Sequence, residues 1–178
     1  MNIGFDLDKI FIDYPPFIPD SLIDSLYRKT SSSTLSYRIP SLPEQIIRKV
    51  SHHSIFRPPI KNNISFMRGI FAKKKNKYFL ISSRFGFLKR ETYIILKKYQ
   101  LDKLFHGIHF NFNNEQPHLF KNKTIQQLHI DYYIDDDLPL LKFLAKKNPN
   151  KKFFWLNKQT GTINKNIFGI KHLAEIFS

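Results

Sequence analysis

The sequence predicts an α/β protein, a three-layer, Rossmann-like parallel sheet that carries a small, mostly helical insertion. Short apolar runs of strand length alternate along the chain with segments whose apolar residues recur at helical spacing. Alternating strands and helices favour βαβ units with right-handed crossovers, and therefore a parallel sheet. Residues 14–71 break this alternation, because they hold seven of the ten prolines and no convincing parallel strand. They are predicted to be an insertion between the first strand and the second.

Each element has its own sequence signal. The predicted strands are residues 2–7, 78–82, 107–112, 131–134 and 152–156. The helices between and after them are predicted from apolar stripes at Leu88, Thr92, Ile95 and Tyr99, at Leu138, Leu141 and Leu144, and at Leu173, Ile176 and Phe177, with one more between Pro117 and His129. Within the insertion, residues 19–28, 43–51 and 64–72 are predicted to form short helices.

Composition narrows the class of protein. The chain of 178 residues is long enough for one domain with a real core. It has no cysteine, which excludes disulfides, thiolate metal sites and cysteine nucleophiles. No window resembles a membrane span, and Asp6 precedes any apolar segment that could serve as a secretion signal. We expect a cytoplasmic protein with no membrane association.

The formal net charge of +15 raises the question of a nucleic-acid partner. The densest basic runs, residues 73–77 and 146–152, lead into predicted strands, and the abundance of Lys, Ile, Phe and Asn is expected of an AT-rich coding sequence. A solvated basic surface is therefore favoured over a dedicated nucleic-acid patch, which stays open as an alternative. The positive field favours a small anionic substrate in either case.

The acidic residues are concentrated rather than dispersed. Six of the fourteen fall in two clusters, Asp6, Asp8 and Asp13 and then the run 135–137. In a strongly basic protein, such concentrated carboxylate is most simply explained by a divalent cation.

Both clusters are expected at the same edge of the sheet, since ligands bind outside the carboxyl ends of parallel strands. The first strand ends in Asp6 and Asp8, the second in Ser82, Ser83 and Arg84, and the fourth in the Asp135 run. Lys121 precedes the fourth strand by one helix. Carboxylates, a hydroxyl and a lysine around one crevice suit magnesium-dependent phosphoryl transfer.

These residues resemble the four motifs of the haloacid-dehalogenase-like phosphohydrolases, in the order of that family. The motifs are Phe5-Asp6-Leu7-Asp8, Leu80-Ile81-Ser82-Ser83-Arg84, Lys121 and Ile134-Asp135-Asp136. Lys9 stands where many members have Gly. The resemblance implies a catalytic core of residues 1–13 and 72–178 and a cap domain of residues 14–71. This layout is most similar to the 5′(3′)-deoxyribonucleotidase branch.

The resemblance also implies a role for each carboxylate. Asp6 is expected to be the nucleophile that forms an aspartyl-phosphate, and Asp8 to protonate the leaving oxygen and then activate water. Mg²⁺ is expected on Asp6, Asp135 and the backbone carbonyl of Asp8, where it offsets the repulsion between carboxylate and phosphate. Asp136 is expected to orient Lys121 or a metal-bound water.

Phosphate binding is assigned to Ser82 and Lys121, with Lys123 as an alternative lysine two residues on. Ser83 and Arg84 are expected to support the phosphate site from behind. Within the insertion, Arg57 and Arg68 are candidates for gripping a second anionic group of the substrate, and Phe56 and Phe66 for stacking on a base. The pair His52-His53 has no partner ligands at zinc-like spacing and is interpreted as surface.

The function predicted first is a Mg²⁺-dependent phosphomonoester hydrolase acting on a small anionic metabolite, with nucleoside monophosphates slightly favoured. A phosphotransferase or mutase, which passes the phosphoryl group to a sugar, is the second enzyme hypothesis. The third is a non-catalytic protein of the same fold that binds nucleic acid through its basic surface.

Overall fold

The computed structural model describes residues 1–15 and 35–177. Among these residues, seven strands form one sheet in the order β3-β2-β1-β4-β5-β7-β6. The strands are β1 (Asn2–Phe5), β2 (Lys77–Ser82), β3 (Gly107–Phe110), β4 (Tyr132–Asp135), β5 (Lys152–Leu156), β6 (Gly161–Asn164) and β7 (Ile167–Ile170). Neighbouring strands are parallel except β6 and β7, which pair antiparallel at one edge.

Five α-helices connect or flank these strands within the described ranges. They are α1 (Leu42–Ser51), α2 (Lys61–Ala72), α3 (Lys89–Lys98), α4 (Pro117–Gln127) and α5 (Leu138–Lys147). Short 3₁₀ turns at Gly86–Leu88, Leu101–Lys103 and Leu173–Phe177 complete the set. In the described part of the chain, every helix is too short or too polar to cross a bilayer.

The helices cover both faces of the sheet, which confirms the predicted three-layer α/β architecture. Side chains alternate along each strand, so Leu80 and Ile134 join the hydrophobic cluster on one face while Ile81 and Tyr133 join the cluster on the other. Helices α2 and α3 contribute to the first cluster, and α4 and α5 to the second. Strands buried on both faces have the apolar runs that the sequence shows.

The five predicted strands are all present, with β5 at the predicted residues and the others within two residues at each end. The hairpin of β6 and β7 was not predicted. Each of its strands has only four residues, and β6 is exposed along its whole length, so it has no apolar period to recognise. The predicted helix at 19–28 lies outside the described residues.

The last helix of the predicted cap segment packs on the core. Ile64 and Met67 of α2 are buried in the same cluster as Phe5 and Phe11. Upstream of α2, the backbone carbonyl of Arg57 accepts a hydrogen bond of 3.0 Å from the hydroxyl of a core tyrosine that follows α3. Residues 57–72 are therefore anchored on the core. The division into a cap of residues 14–71 and a core stays a prediction.

Gly4 in β1 leaves room for a tyrosine beside the site. A Cβ at Gly4 would lie 2.9 Å from the ring of Tyr133 and 3.1 Å from Ile81. With that space open, Tyr133 donates a hydrogen bond of 3.2 Å to the carbonyl of Ile81. Its ring centroid lies 5.7 Å from the ammonium of Lys121. The glycine thus allows the ring of Tyr133 to lie beside a lysine of the predicted site.

Candidate active site

Three parallel strands bring the predicted residues to one edge of the sheet. Asp6 follows β1, Ser82 ends β2 and Asp135 ends β4. The amide of Asp6 donates a hydrogen bond of 2.9 Å to the carbonyl of Ile134, which continues the pairing of β1 with β4 past the end of β1. All three side chains line one cavity of about 300 Å³. The sheet register therefore creates the predicted crevice.

Lys121 joins the two strand ends. Its Nζ donates to Asp6 Oδ1 at 2.8 Å and to Asp135 Oδ2 at 2.6 Å, and the residue is 2% exposed. Although burial opposes its charged form, Asp135 and Asp6 raise the pKa of Lys121 well above its usual range. Lys123 is exposed and lies 3.5 Å from Glu115. The structure thus places Lys121, and not Lys123, among the site carboxylates.

Asp6, Asp135 and Asp136 form a compact group of carboxylates, with one oxygen of each within 4.8 Å of the others. Burial raises the pKa of Asp6 to about 7, and Asp135 and Asp8 add to the rise while Lys121 opposes it. Burial and the neighbouring carboxylates likewise raise the pKa of Asp136 well above its usual range. Three acidic groups held this close favour either protons or a cation.

This donor set fits a hard divalent cation, which prefers carboxylate oxygens. Asp6, Asp135 and Asp136 are the residues that would hold it. This set differs from the one predicted from the sequence. There the third ligand was the backbone carbonyl of Asp8, and Asp136 only oriented a neighbouring group. When bound, the ion would offset the negative charge shared by the cluster and a phosphate group.

The Asp135 run is held in place by its own surroundings. Asp137 caps the N-terminus of α5, accepting from the amide of Leu140 at 3.2 Å, and its own amide donates to Asp135 Oδ1 at 3.0 Å. The indole Nε1 of Trp155 donates to the carbonyl of Asp136 at 2.8 Å. From the sequence, the Asp run could equally cap the following helix and Trp155 could line the edge of the crevice. The structure shows that Asp137 does cap α5, and that Asp137 and Trp155 also hold Asp135 and Asp136 in orientation.

Asp8 is engaged by two buried arginines. Its carboxylate accepts from Arg84 Nε at 2.8 Å and Arg84 Nη2 at 2.7 Å, and also from Arg57. Although burial opposes the charged form, Arg84 and Arg57 hold the pKa of Asp8 well below its usual range. Asp8 is therefore a carboxylate in this arrangement. As a proton donor it would first have to separate from the arginines.

The four residues of the insertion that the sequence proposes as substrate contacts do not lie together in the structure. Arg57 is 2% exposed and bonds to Asp8. Arg68 is exposed on α2, and the ring of Phe66 packs 6.1 Å from that of Phe177. The half-buried ring of Phe56 lies 6.5 Å from that of His53.

The cavity wall also contains residues whose position the sequence did not indicate. Ser83, which was expected behind the phosphate site, lines the cavity beside Ser82, and so do Arg48 and His52. The surface interpretation of the histidine pair is wrong for His52, which is 5% exposed, because the C-terminal end of α1 turns it inward. Only His53 is at the surface. The sequence alone does not show which of two adjacent histidines is buried and which is exposed.

Lys9 adopts a backbone conformation that glycine adopts more easily than a residue with a side chain. Its φ is 60°, in the left-handed region where glycine is favoured. Its ammonium lies 2.9 Å from Asp13 and 4.5 Å from the ring centroid of Tyr14. These contacts offset part of the strain that a side chain introduces at this position.

We expect Mg²⁺ to stabilise the protein more at pH 8 than at pH 5.5. Because the pKa of Asp6 is raised to about 7, the group is mostly protonated at the lower pH and metal must displace that proton. At 100 times its dissociation constant a ligand adds about 2.7 kcal/mol, or roughly 5 to 10 °C in Tm for a chain of this length. Thermal unfolding with Mg²⁺ or with EDTA measures it. An equal shift at both pH values, or the same shift from NaCl of matched ionic strength, would contradict the site.

No protein-family model and no curated protein matches the sequence, whereas solved structures do match the fold. A protein described as a haloacid-dehalogenase-like hydrolase from Bacteroides fragilis has a TM-score of 0.65 at 14% identity, covering 98% of both chains. One described as a β-phosphoglucomutase from Thermotoga maritima has a TM-score of 0.55 at 14% identity, covering 93% of this chain and 88% of that one.

A third similar structure is an enzyme of the haloacid dehalogenase family from Bacteroides thetaiotaomicron, solved with magnesium and inorganic phosphate. Its TM-score is 0.55 at 10% identity, covering 91% of this chain and 96% of that one. Fold and site thus define a Rossmann-like α/β protein. Its carboxylate cluster lies at the ends of β1 and β4, where the strand order of the parallel sheet reverses. The fold is the one seen in solved structures described as haloacid-dehalogenase-like hydrolases.

Proposed function

We propose that this protein is a Mg²⁺-dependent phosphomonoester hydrolase that acts on a small phosphorylated metabolite. The observation that carries the proposal is the buried arrangement of Asp6, Lys121 and Asp135, with Asp136 beside them, in a cavity that Ser82 also lines. A carboxylate suited to nucleophilic attack, a carboxylate cluster suited to a divalent cation and a cavity of about 300 Å³ occur together there. The same fold in an enzyme solved with magnesium and phosphate supports this choice.

In the proposed reaction, a carboxylate oxygen of Asp6 attacks phosphorus and the ester P–O bond breaks, which releases the alcohol. Water then attacks the aspartyl-phosphate, its P–O bond to Asp6 breaks, and inorganic phosphate leaves. Lys121 and Ser82 bind the oxygens of the transferred group. Asp8, in its protonated form and separated from Arg57 and Arg84, is proposed to give its proton to the leaving oxygen in the first step, and to take a proton back from the attacking water in the second.

Release of phosphate from a panel of esters tests the proposal. With Mg²⁺ present, we expect turnover of an aryl phosphate and of small metabolite phosphates, nucleoside monophosphates among them, and we expect EDTA to stop it. The measurement is inorganic phosphate per enzyme over time. Absence of turnover across the whole panel would refute the proposal.

A phosphotransferase is the second candidate, and the fold it shares with a protein described as a β-phosphoglucomutase favours including it. The two functions differ in what accepts the phosphoryl group from Asp6. Hydrolysis of an aryl phosphate in water alone supports the hydrolase. Turnover that begins only when a sugar phosphate is added supports the transferase.

A further inference from the structure

Helix α1 turns a polar side toward the candidate active site. Its four aliphatic side chains are each more than half exposed, whereas Arg48 and the residue that follows the helix, His52, are 7% and 5% exposed. His52 lines the same cavity as Asp6 and Ser82, on the wall made by the insertion. Because buried polar groups are almost always hydrogen-bonded, the two ring nitrogens of His52 have to be accounted for.

The first nitrogen, Nδ1, carries a proton. It lies 2.8 Å from the backbone carbonyl of Arg48, and because a carbonyl only accepts, Nδ1 is the donor. The hydroxyl of Ser51, 3.3 Å from Nδ1, donates to the same carbonyl and is therefore an acceptor toward the ring. Burial and the guanidinium groups of Arg57 and Arg84 hold the pKa of His52 well below its usual range. The ring is thus neutral, and its second nitrogen is a hydrogen-bond acceptor.

This second nitrogen, Nε2, lacks a partner in the protein. Within the part of the chain that the structure describes, no hydrogen bond reaches Nε2 of His52. When a substrate fills a cavity and excludes water, an acceptor in the wall is left unpaired unless the substrate donates to it. A wall acceptor of this kind selects for substrates that carry a donor at the matching place.

The charged groups around His52 indicate which donor it meets. Asp8, Arg57 and Arg84 act on its ring, and Asp8 and Arg84 line the same cavity. Asp8 is the group proposed to serve the leaving oxygen, so the alcohol half of the ester extends on this side. The two guanidinium groups repel an ammonium group there. The uncharged donor that the alcohol half of a phosphate ester offers is a hydroxyl group.

We propose that Nε2 of His52 accepts a hydrogen bond from a hydroxyl group of the substrate, so that the substrate is a small phosphate ester whose alcohol half carries a free hydroxyl. This inference rests on the proposed hydrolase function and names its substrate class. Polyol phosphates, sugar phosphates and ribonucleotides belong to this class. The cavity volume of about 300 Å³ is at the lower end for small-molecule sites, which favours the smaller members.

Matched substrate pairs test the contact, because each pair differs in a single hydroxyl. Glycerol 3-phosphate is compared with the phosphates of propane-1,2-diol and propane-1,3-diol, ribose 5-phosphate with 2-deoxyribose 5-phosphate, and adenosine 5′-monophosphate with its 2′-deoxy analogue. We expect the hydroxylated member of at least one pair to have a kcat/KM at least about 5-fold higher, the scale of leaving a buried acceptor unpaired. Which pair shows the preference identifies the hydroxyl that is bound.

Two substitutions separate the two nitrogens of His52. The amide nitrogen of His52→Asn stands near the place of Nδ1 and retains a donor for the carbonyl of Arg48, but nothing replaces Nε2, so the preference should fall to within about 2-fold. His52→Gln reaches the place of Nε2 with an amide oxygen that accepts, and its preference should lie between that of the Asn variant and the wild type. His53→Asn, at the adjacent exposed histidine, is the matched control and should keep the wild-type preference.

Two results would overturn the contact while leaving the hydrolase proposal intact. One is equal kcat/KM for the two members of every pair, and the other is a preference that survives in His52→Asn. If that variant does not fold, His52→Leu, which also lacks an acceptor, takes its place. If no ester is turned over, the hydrolase proposal fails and thermal unfolding decides the contact alone. Glycerol 3-phosphate or ribose 5-phosphate should then raise the Tm of the wild type more than its deoxy partner does, with no such difference in His52→Asn.

Discussion

Asp6→Asn is expected to lower Mg²⁺-dependent phosphate release by roughly 10⁴-fold or more, the scale of losing a nucleophile. An amide oxygen does not form the acyl-phosphate that a carboxylate oxygen forms, so the first displacement stops. The assay is phosphate release from the best ester of the panel. Asp102→Asn, which changes an exposed aspartate, is the matched control and should retain wild-type turnover.

The same substitution should leave the fold intact. Asp6 is one of three neighbouring carboxylates, and its pKa of about 7 shows that burial and its neighbours disfavour its charge. Removing that charge relieves the cluster, while Lys121 retains Asp135 as a partner at 2.6 Å. We therefore expect the metal-free variant at pH 8 to have a Tm equal to or above that of the wild type. Its Mg²⁺-induced rise should be largely lost.

The two measurements separate a catalytic role from a structural one. If turnover in Asp6→Asn stays within 10-fold of the wild type, Asp6 is not the nucleophile, because loss of a nucleophile has far larger effects. If instead the metal-free variant is strongly destabilised at pH 8, Asp6 serves chiefly as a partner of Lys121. Either outcome would contradict the role of Asp6 as nucleophile and metal ligand.

The two carboxylates Asp6 and Asp135 could be placed from the sequence, because local patterns and strand order suffice to locate them. Asp6 and Asp135 follow apolar strand runs, and in a parallel sheet the ends of such strands meet at one edge. The pairing of β1 with β4 then made the two groups neighbours. Strand order was enough for these two carboxylates. Lys121 was assigned from the family resemblance, and the sequence did not decide between it and Lys123.

What the insertion contributes could not be predicted in the same way. The contact between Arg57 and Asp8 joins residues 49 positions apart, and no strand register determines it. The inward position of Arg48 opposes the apolar pattern of its own helix, so periodicity alone would have put the aliphatic face inside. Gly169 shows a similar limit, since a Cβ there would lie 2.7 Å from the carbonyl of Gln159. That close approach belongs to a hairpin whose strands lack a signal.

Lys121→Met is expected to lower the free energy of unfolding at pH 8 by about 3 to 5 kcal/mol, the typical effect of breaking a buried ion pair. Lys121 is the cation that contacts both Asp6 and Asp135. Without it, two buried carboxylates face each other and Asp136 with nothing to offset their charge. Urea unfolding with EDTA present measures the loss. Lys123→Met, on the exposed lysine of the same helix, should change stability by no more than about 0.5 kcal/mol.

The pH dependence distinguishes this account from a general packing defect. The folded pKa of Asp6 already lies near 7, above its unfolded value, so its contribution to stability is lost as pH rises through that range. Removing Lys121 raises the folded pKa further. The loss in Lys121→Met should thus be larger at pH 8 than at pH 5.5, where Asp6 is mostly protonated, and Mg²⁺ should recover part of it at pH 8. A loss of equal size at both pH values, or one matched by Lys123→Met, would show that Lys121 stabilises the protein through its methylene chain and not through its charge.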